Sequence, residues 1–202
     1  MFITNRKEKL MPAFAPGRND RINHAIQFAS MAHGSQVRKG NGDIPYIFHP
    51  IDVANEVIYY SGLPEEEMEL ASTTAILHDV VEDTHVSEND VRAQFGDEVA
   101  VGVAALSKDD SIEEIDKLSK LEQLKESLVR IKAAPRYVAC VKLADRVSNL
   151  KAFPAMWSRQ KIANYLDESK LIADELGYAS EGLHARLLHR IAEARRVLSI
   201  AK

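Results

Sequence analysis

The chain has 202 residues, 46% apolar and 28% charged, with a net charge of −4. That balance belongs to a globular chain long enough to bury its own core, and it excludes disorder, collagen-like repeats and the basic footprint of a nucleic-acid binder. One cysteine, Cys140, excludes an internal disulfide framework and any multi-cysteine metal site.

No apolar run approaches the roughly 18 residues of a membrane span. The opening MFITNRKEKLMPAFAPG lacks the apolar stretch of a signal peptide. Residues 1–18 therefore read as an N-terminal arm before a single domain over 19–202, expected in the cytoplasm.

In chain order, Ile22, Ala25, Ile26, Ala29 and Ala32 keep helical spacing, with Asn19 or Asp20 as N-cap. Gly34, Gly40, Gly42 and Pro45 break that pattern and predict a long loop up to His49. A second helix is predicted over 50–61, with Pro50 at its first position and Gly62 past its end. A third starts near Pro64 and runs to about Glu82, its first turn acidic with Glu65, Glu66 and Glu67. Ser87 and Asp90 approximate a capping box for a short helix ended by Gly96.

Further helices are predicted over 97–106, over 111–132 with a stripe from Ile112 to Ile131, and from Pro135 to about Lys151. Two more follow over 158–176 and 181–199. No strand pattern is convincing. The predicted class is all-α, one domain of eight or nine helices.

The chemistry concentrates in AILHDVVEDT, residues 75–84. At four-residue spacing on a helix, His78 faces Glu82 and Asp79 faces Asp83. His78 continues the apolar stripe of Ala71, Thr74 and Ala75, so imidazole and carboxylates lie at or near a buried side. Buried carboxylates need compensation, commonly a cation. The bland alternative is a solvated acidic helix end.

Asp145 in VACVKLADRVSNLK likewise interrupts a stripe of Val138, Val141 and Ser148; the alternative is pairing with Lys142 or Arg146. His49 ends the Gly-rich loop in PYIFHP; the alternative is a helix-capping histidine. Together His49, His78, Asp79 and Asp145 form a two-nitrogen, two-oxygen ligand set. Such a set suits Mn²⁺, Fe²⁺ or Zn²⁺ better than Ca²⁺ or Mg²⁺ and leaves room for water and a substrate oxygen, as metal-assisted hydrolysis requires.

The order H…HD…D resembles that of the HD-domain metal-dependent phosphohydrolases. More narrowly, RKGNGDIPYIFHP, ILHDVVEDT, FGDEV and VKLADRVSNLK resemble the hydrolase domain of the RelA/SpoT alarmone enzymes over roughly residues 20–176. The chain length and WSRQKIANYL resemble the small free-standing hydrolases of that family, which include metazoan SpoT homologues.

The resemblance implies a manganese-dependent hydrolase removing the 3′-pyrophosphate of ppGpp or pppGpp, with one ion per chain on His49, His78, Asp79 and Asp145. It implies catalytic roles for Glu82 and Asp83, nucleotide binding by Arg38 and Lys39, and a place near the ribose for Asn149. Lys151 stands where the family commonly carries Arg, and Ala152 where it carries Thr. Lys151 keeps the charge of a substrate-binding residue but lacks the planar fork of Arg. A different nucleotide such as NADPH is the alternative substrate, and a non-catalytic nucleotide-binding module is a third reading. A guanine nucleotide is the expected partner, with neither nucleic acid nor membrane; the oligomeric state is left open.

Overall fold

The computed structural model describes residues 18–38, 43–108 and 119–200. Its elements are α1 (Arg18–His33), α2 (Phe48–Tyr60), α3 (Glu65–Leu77), α4 (Val80–Asp83), α5 (Glu88–Phe95), α6 (Asp97–Leu106), α7 (Lys120–Ala133), α8 (Arg136–Asn149), α9 (Arg159–Leu176), a 3₁₀ turn (Gly177–Ala179) and α10 (Glu181–Ile200). Among the described residues the fold is all-α: nine helices of eight residues or more, the single turn α4, and one isolated bridge between Val37 and Pro45 in place of any strand. No helix among them is long and apolar enough to cross a membrane.

Local chemistry sets the boundaries. Ser87 and Asp90 form the expected reciprocal capping box of α5, and Ser158 caps α9 through the Lys161 N–H. Gly62, just past α2, has a φ of 65°, a conformation costly for any residue with a Cβ. The predicted helix over 111–132 starts, in its described part, at Lys120, because Ser119 and Glu122 make a second capping box. Residues 111–118, the N-terminal arm to residue 17, and Lys39 lie outside the described residues.

The helix predicted from Pro64 to Glu82 is in fact two. It stops after Leu77, and α4 resumes at Val80. His78 Nδ1 donates to the Ala75 carbonyl at 2.7 Å, the acceptor that a continuous helix would offer to the Asp79 N–H. Asp79 sits at φ −101°, ψ −6°, at the loose edge of the right-handed helical region.

Helix α8 is the spine. From Tyr137 to Ser148 it is buried at every position except Lys142, which is half-buried. It packs on α2, α3, α6, α7, α9 and α10, while α2 and α3 pack on each other. The three mutually packed helices α2, α3 and α8 form the floor on which the polar cluster is built.

Helix α10 is pinned to α2. A Cβ on Gly182 would come 2.3 Å from the Tyr60 carbonyl oxygen, so only glycine allows this approach. Buried Glu56 accepts from Arg186 at 2.5 and 2.7 Å and pairs with Lys151 at 2.8 Å. Lys151 also holds Asp52 at 2.6 Å. Burial alone would raise the pKa of both carboxylates, but Arg186 and Lys151 at Glu56, and Lys151 and Ser148 at Asp52, outweigh it and hold each below its ordinary value.

A group whose folded-state pKa is depressed stabilises the fold above its unfolded pKa, and that contribution disappears as the pH falls through the folded value. Glu56→Gln should therefore lower Tm near neutral pH and flatten the loss of Tm between about pH 5 and pH 3. Thermal melts across that range check it, and an acid slope as steep as that of the unmutated protein would contradict it.

Candidate active site

His49 sits in the first turn of α2, His78 and Asp79 in the break between α3 and α4, and Asp145 on the buried face of α8. The fold brings all four together. His49 Nε2 lies 3.3 Å from Asp145 Oδ1 and 3.7 Å from Asp79 Oδ2. His78 Nε2 lies 3.1 Å from Asp79 Oδ2 and 3.7 Å from Asp145 Oδ1. His49, His78 and Asp145 are 4%, 5% and 7% exposed, so water can do little to balance their charge.

Neighbouring groups orient each member. The His78 Nδ1–H is held by the Ala75 carbonyl. His49 Nδ1 meets Ser148 Oγ at 3.2 Å. The Tyr46 hydroxyl donates to Asp79 Oδ2 at 2.5 Å. Asp145 accepts from Asn149 Nδ2 at 2.6 Å and from Lys142 Nζ at 3.3 Å. The expected alternative for Asp145, pairing with Lys142, thus exists alongside its place in the cluster.

The electrostatics favour a cation. Burial would lower the His78 pKa, yet Asp79 and Asp145 outweigh it and push it up to about 10. Burial wins at His49, whose pKa falls despite Asp145. Asp145 stays ionised well below the usual carboxylate range: burial opposes this, and Lys142 and both imidazoles outweigh it. Burial and the Asp79 charge raise the Tyr46 pKa, so its hydroxyl keeps the proton it donates.

The donor set fits a divalent ion. His78 Nε2 is buried without a hydrogen-bond partner, its other nitrogen already bonded to a carbonyl, which is the arrangement a metal-ligating histidine needs. Ligand atoms of His49, His78 and Asp79 all lie within 4.8 Å of one another.

Two clefts flank the cluster. One, of about 510 Å³, is lined by Arg38, Tyr46, Asp83, Asn149 and the aromatic side chains Phe153, Trp157 and Tyr165. Arg38 donates to Asn149 Oδ1 at 3.1 Å, and Trp157 meets Tyr165 edge-on at a centroid distance of 5.1 Å. The other, of about 680 Å³, has Glu82 among basic residues that include Lys120, Arg130, Lys142 and Lys161.

Glu82 and Asp83, one turn beyond the cluster as expected, therefore serve different clefts. Glu82 is exposed at the rim, and its Oε2 accepts from the Lys108 N–H at 3.2 Å. Crowding by protein, then the Asp79 charge, raises its pKa.

Lys151 reaches neither cleft lining. Its ammonium is engaged by Asp52 and Glu56. Tyr46, Ser148 and the aromatic lining were not singled out in the sequence for this site. Tyr46 stands three residues before His49, but a loop has no periodicity to reveal which side chain turns inward. Cys140 is buried, and burial pushes its thiol up to about 11.

Among the described residues the fold is all-α, two imidazoles and two carboxylates converge from α2, the α3–α4 break and α8, and residues 25–172 match the HD domain family model. Curated relatives narrow this. Guanosine-3′,5′-bis(diphosphate) 3′-pyrophosphohydrolase MESH1 of Drosophila melanogaster is 30% identical over 167 residues, covering 80% of this chain and 88% of that protein. The enzyme of the same activity from Aquifex aeolicus is 31% identical over 91% of this chain but only 23% of its own length.

A solved structure described as a metazoan ortholog of SpoT that hydrolyzes ppGpp superimposes with a TM-score of 0.74 at 26% identity, covering 90% of this chain and 98% of that one. The chain belongs to the HD-domain family, together with these small MESH1-type proteins.

A divalent ion that binds the folded state at a hundred times its Kd stabilises it by about 2.7 kcal/mol. Added Mn²⁺ or Zn²⁺ should raise Tm accordingly, and chelation should reverse the shift. An identical melt with and without chelator would contradict a bound ion.

Proposed function

We propose that this chain is a manganese-dependent hydrolase that removes the 3′-pyrophosphate of guanosine 3′,5′-bis(diphosphate), with His49, His78, Asp79 and Asp145 as ligands of one ion. The observation that carries this reading is the convergence of four ligand-type side chains beside an aromatic-lined cleft holding the Arg38–Asn149 pair. The activity of the MESH1 relatives supports the substrate. A mixed imidazole–carboxylate set supports Mn²⁺, Fe²⁺ or Zn²⁺ over Ca²⁺ or Mg²⁺.

The reaction adds water across the bond between the ribose 3′-oxygen and the adjacent phosphorus. Oxygen from water ends on pyrophosphate, and the ribose oxygen takes a proton. The ion, when bound, supplies Lewis acidity toward phosphoryl oxygens and lowers the pKa of water.

This chain's side chains supply the rest. Arg38, held at one nitrogen by Asn149, has further N–H groups for base or phosphate. Trp157 and Tyr165, each with a cation already over one ring face, Lys161 and Arg146 respectively, line the cleft that would take the base. Glu82, with its raised pKa, is suited to deliver the proton that the 3′-oxygen needs, and Asp83 to orient water from the other cleft. Lys142 and its basic neighbours in the second cleft attract the polyphosphate. Lys151 acts on the site through Asp52 rather than by touching substrate.

The deciding experiment incubates the pure, manganese-loaded chain with ppGpp and separates the products. GDP and pyrophosphate are expected. Orthophosphate released from NADPH with ppGpp untouched would move the substrate to that nucleotide, and no turnover of either by fully loaded protein would leave a binding module. Removal of a general acid or base costs on the order of a hundredfold or more in kcat. Glu82→Gln and Asp83→Asn should each lose that much while keeping full metal content by elemental analysis. Normal kcat in both would end this mechanism. Arg38→Ala should raise KM with little change in Tm, and lost stability with unchanged KM would assign Arg38 to the fold instead.

A further inference from the structure

The hydrogen bond from His49 to Ser148 continues into a defined relay. Ser148 Oγ lies 2.6 Å from Asp52 Oδ2, and both Asp52 oxygens are held by Lys151 Nζ, at 2.6 and 2.8 Å. A serine hydroxyl has one proton to donate. Here that proton goes to an ionised carboxylate, the stronger of its two possible bonds.

With its proton committed, Ser148 Oγ can only accept from His49 Nδ1 at 3.2 Å. His49 must then carry its hydrogen on Nδ1 and present a lone pair at Nε2, toward Asp79 and Asp145. Were the relay reversed, Ser148 would donate to Nδ1 and Nε2 would carry the hydrogen. That tautomer is favoured by the two carboxylates facing Nε2 but closed to a cation.

We infer that Ser148, backed by Asp52 and Lys151, is a positioning residue that sets the His49 tautomer for ion binding. Lys151 itself is fixed by buried Glu56, which Arg186 holds from α10. The relay thus runs from the metal cluster through α8 and α2 to the far helix, and its two carboxylates and two cations balance. This assigns Lys151 a purpose that leaves it off the cleft lining. The inference rests on the proposed role of His49 as a ligand, and its test separates the two.

The experiment measures the Mn²⁺ dissociation constant of the full chain by competition with a chelating dye, for the unmutated protein and for His49→Ala, Ser148→Ala, Ser148→Thr and Asp52→Asn. The Tm of each metal-free protein is recorded alongside, and kcat at limiting and saturating Mn²⁺. Loss of a group that orients a metal-bound histidine typically weakens metal binding about 10- to 100-fold.

Ser148→Ala should show a loss in that range with little change in metal-free Tm, and its kcat should recover at saturating Mn²⁺. Asp52→Asn should weaken binding in the same direction, because an amide can donate to Ser148 and allow reversal. Ser148→Thr, which keeps the hydroxyl, should bind within a few-fold of the unmutated protein. If His49→Ala binds as tightly as the unmutated chain, the ligand assignment and this inference both fall. If His49→Ala loses the ion while Ser148→Ala and Asp52→Asn bind normally, the inference alone falls. It also falls if the loss in Ser148→Ala follows a matching drop in metal-free Tm and Thr does not restore it.

Discussion

Two carboxylates, Asp79 and Asp145, are carried into the packed junction of α2, α3 and α8, and much around the site answers to that charge. Moving an ionised carboxylate out of water is tolerable only with close compensation. Imidazole nitrogens from His49 and His78, the Lys142 ammonium, the Asn149 amide and the Tyr46 hydroxyl all converge on these two groups. The Tyr46 hydroxyl meets the same Asp79 oxygen, Oδ2, that faces both imidazoles, the Asn149 amide meets the Asp145 oxygen that does so, Oδ1, and Lys142 takes Asp145 Oδ2. An ion of two positive charges completes that arrangement better than protons can, which is why the cluster is both a stability problem and a functional asset.

The surroundings of the cluster differ on its two sides. On one side Phe153, Trp157 and Tyr165, packed edge to face, give an aromatic lining with one fixed guanidinium; on the other the charges are mainly positive. A molecule with an aromatic base at one end and phosphates at the other would satisfy both, spanning the cluster of His49, His78, Asp79 and Asp145 between them. The short helix α4 is the partition. It carries Asp83 toward the aromatic cleft and Glu82 toward the basic one.

Much of this was legible in the sequence. Helix boundaries that depend on nearest neighbours, such as the Ser87–Asp90 box and the turn at Gly62, follow from a few adjacent residues. The four proposed ligands stood out because each put a charge-bearing or metal-binding side chain on an apolar stripe or at a loop end. What escaped was what distant segments decide together. Nothing near Lys151 in sequence announces that Asp52 and Glu56, nearly a hundred residues away, hold its ammonium. Tyr46 escaped because its role exists only once the loop folds back over Asp79. The helix predicted through Glu82 erred for a related reason: periodicity counts side chains and does not register that one of them, His78, competes for a backbone carbonyl.

That interruption has a consequence for anyone grafting such a centre onto another scaffold. Consecutive residues of an unbroken α-helix project about 100° apart around its axis, so neighbouring histidine and aspartate there would diverge. Here the pair lies in the turn between α3 and α4, with His78 Nε2 3.1 Å from Asp79 Oδ2, and one dipeptide supplies two convergent groups. A transplant that copies the two residues into a regular helix would carry over the chemistry and lose the bite angle. The portable unit is the kinked peptide, with the Ala75 carbonyl and the following turn included.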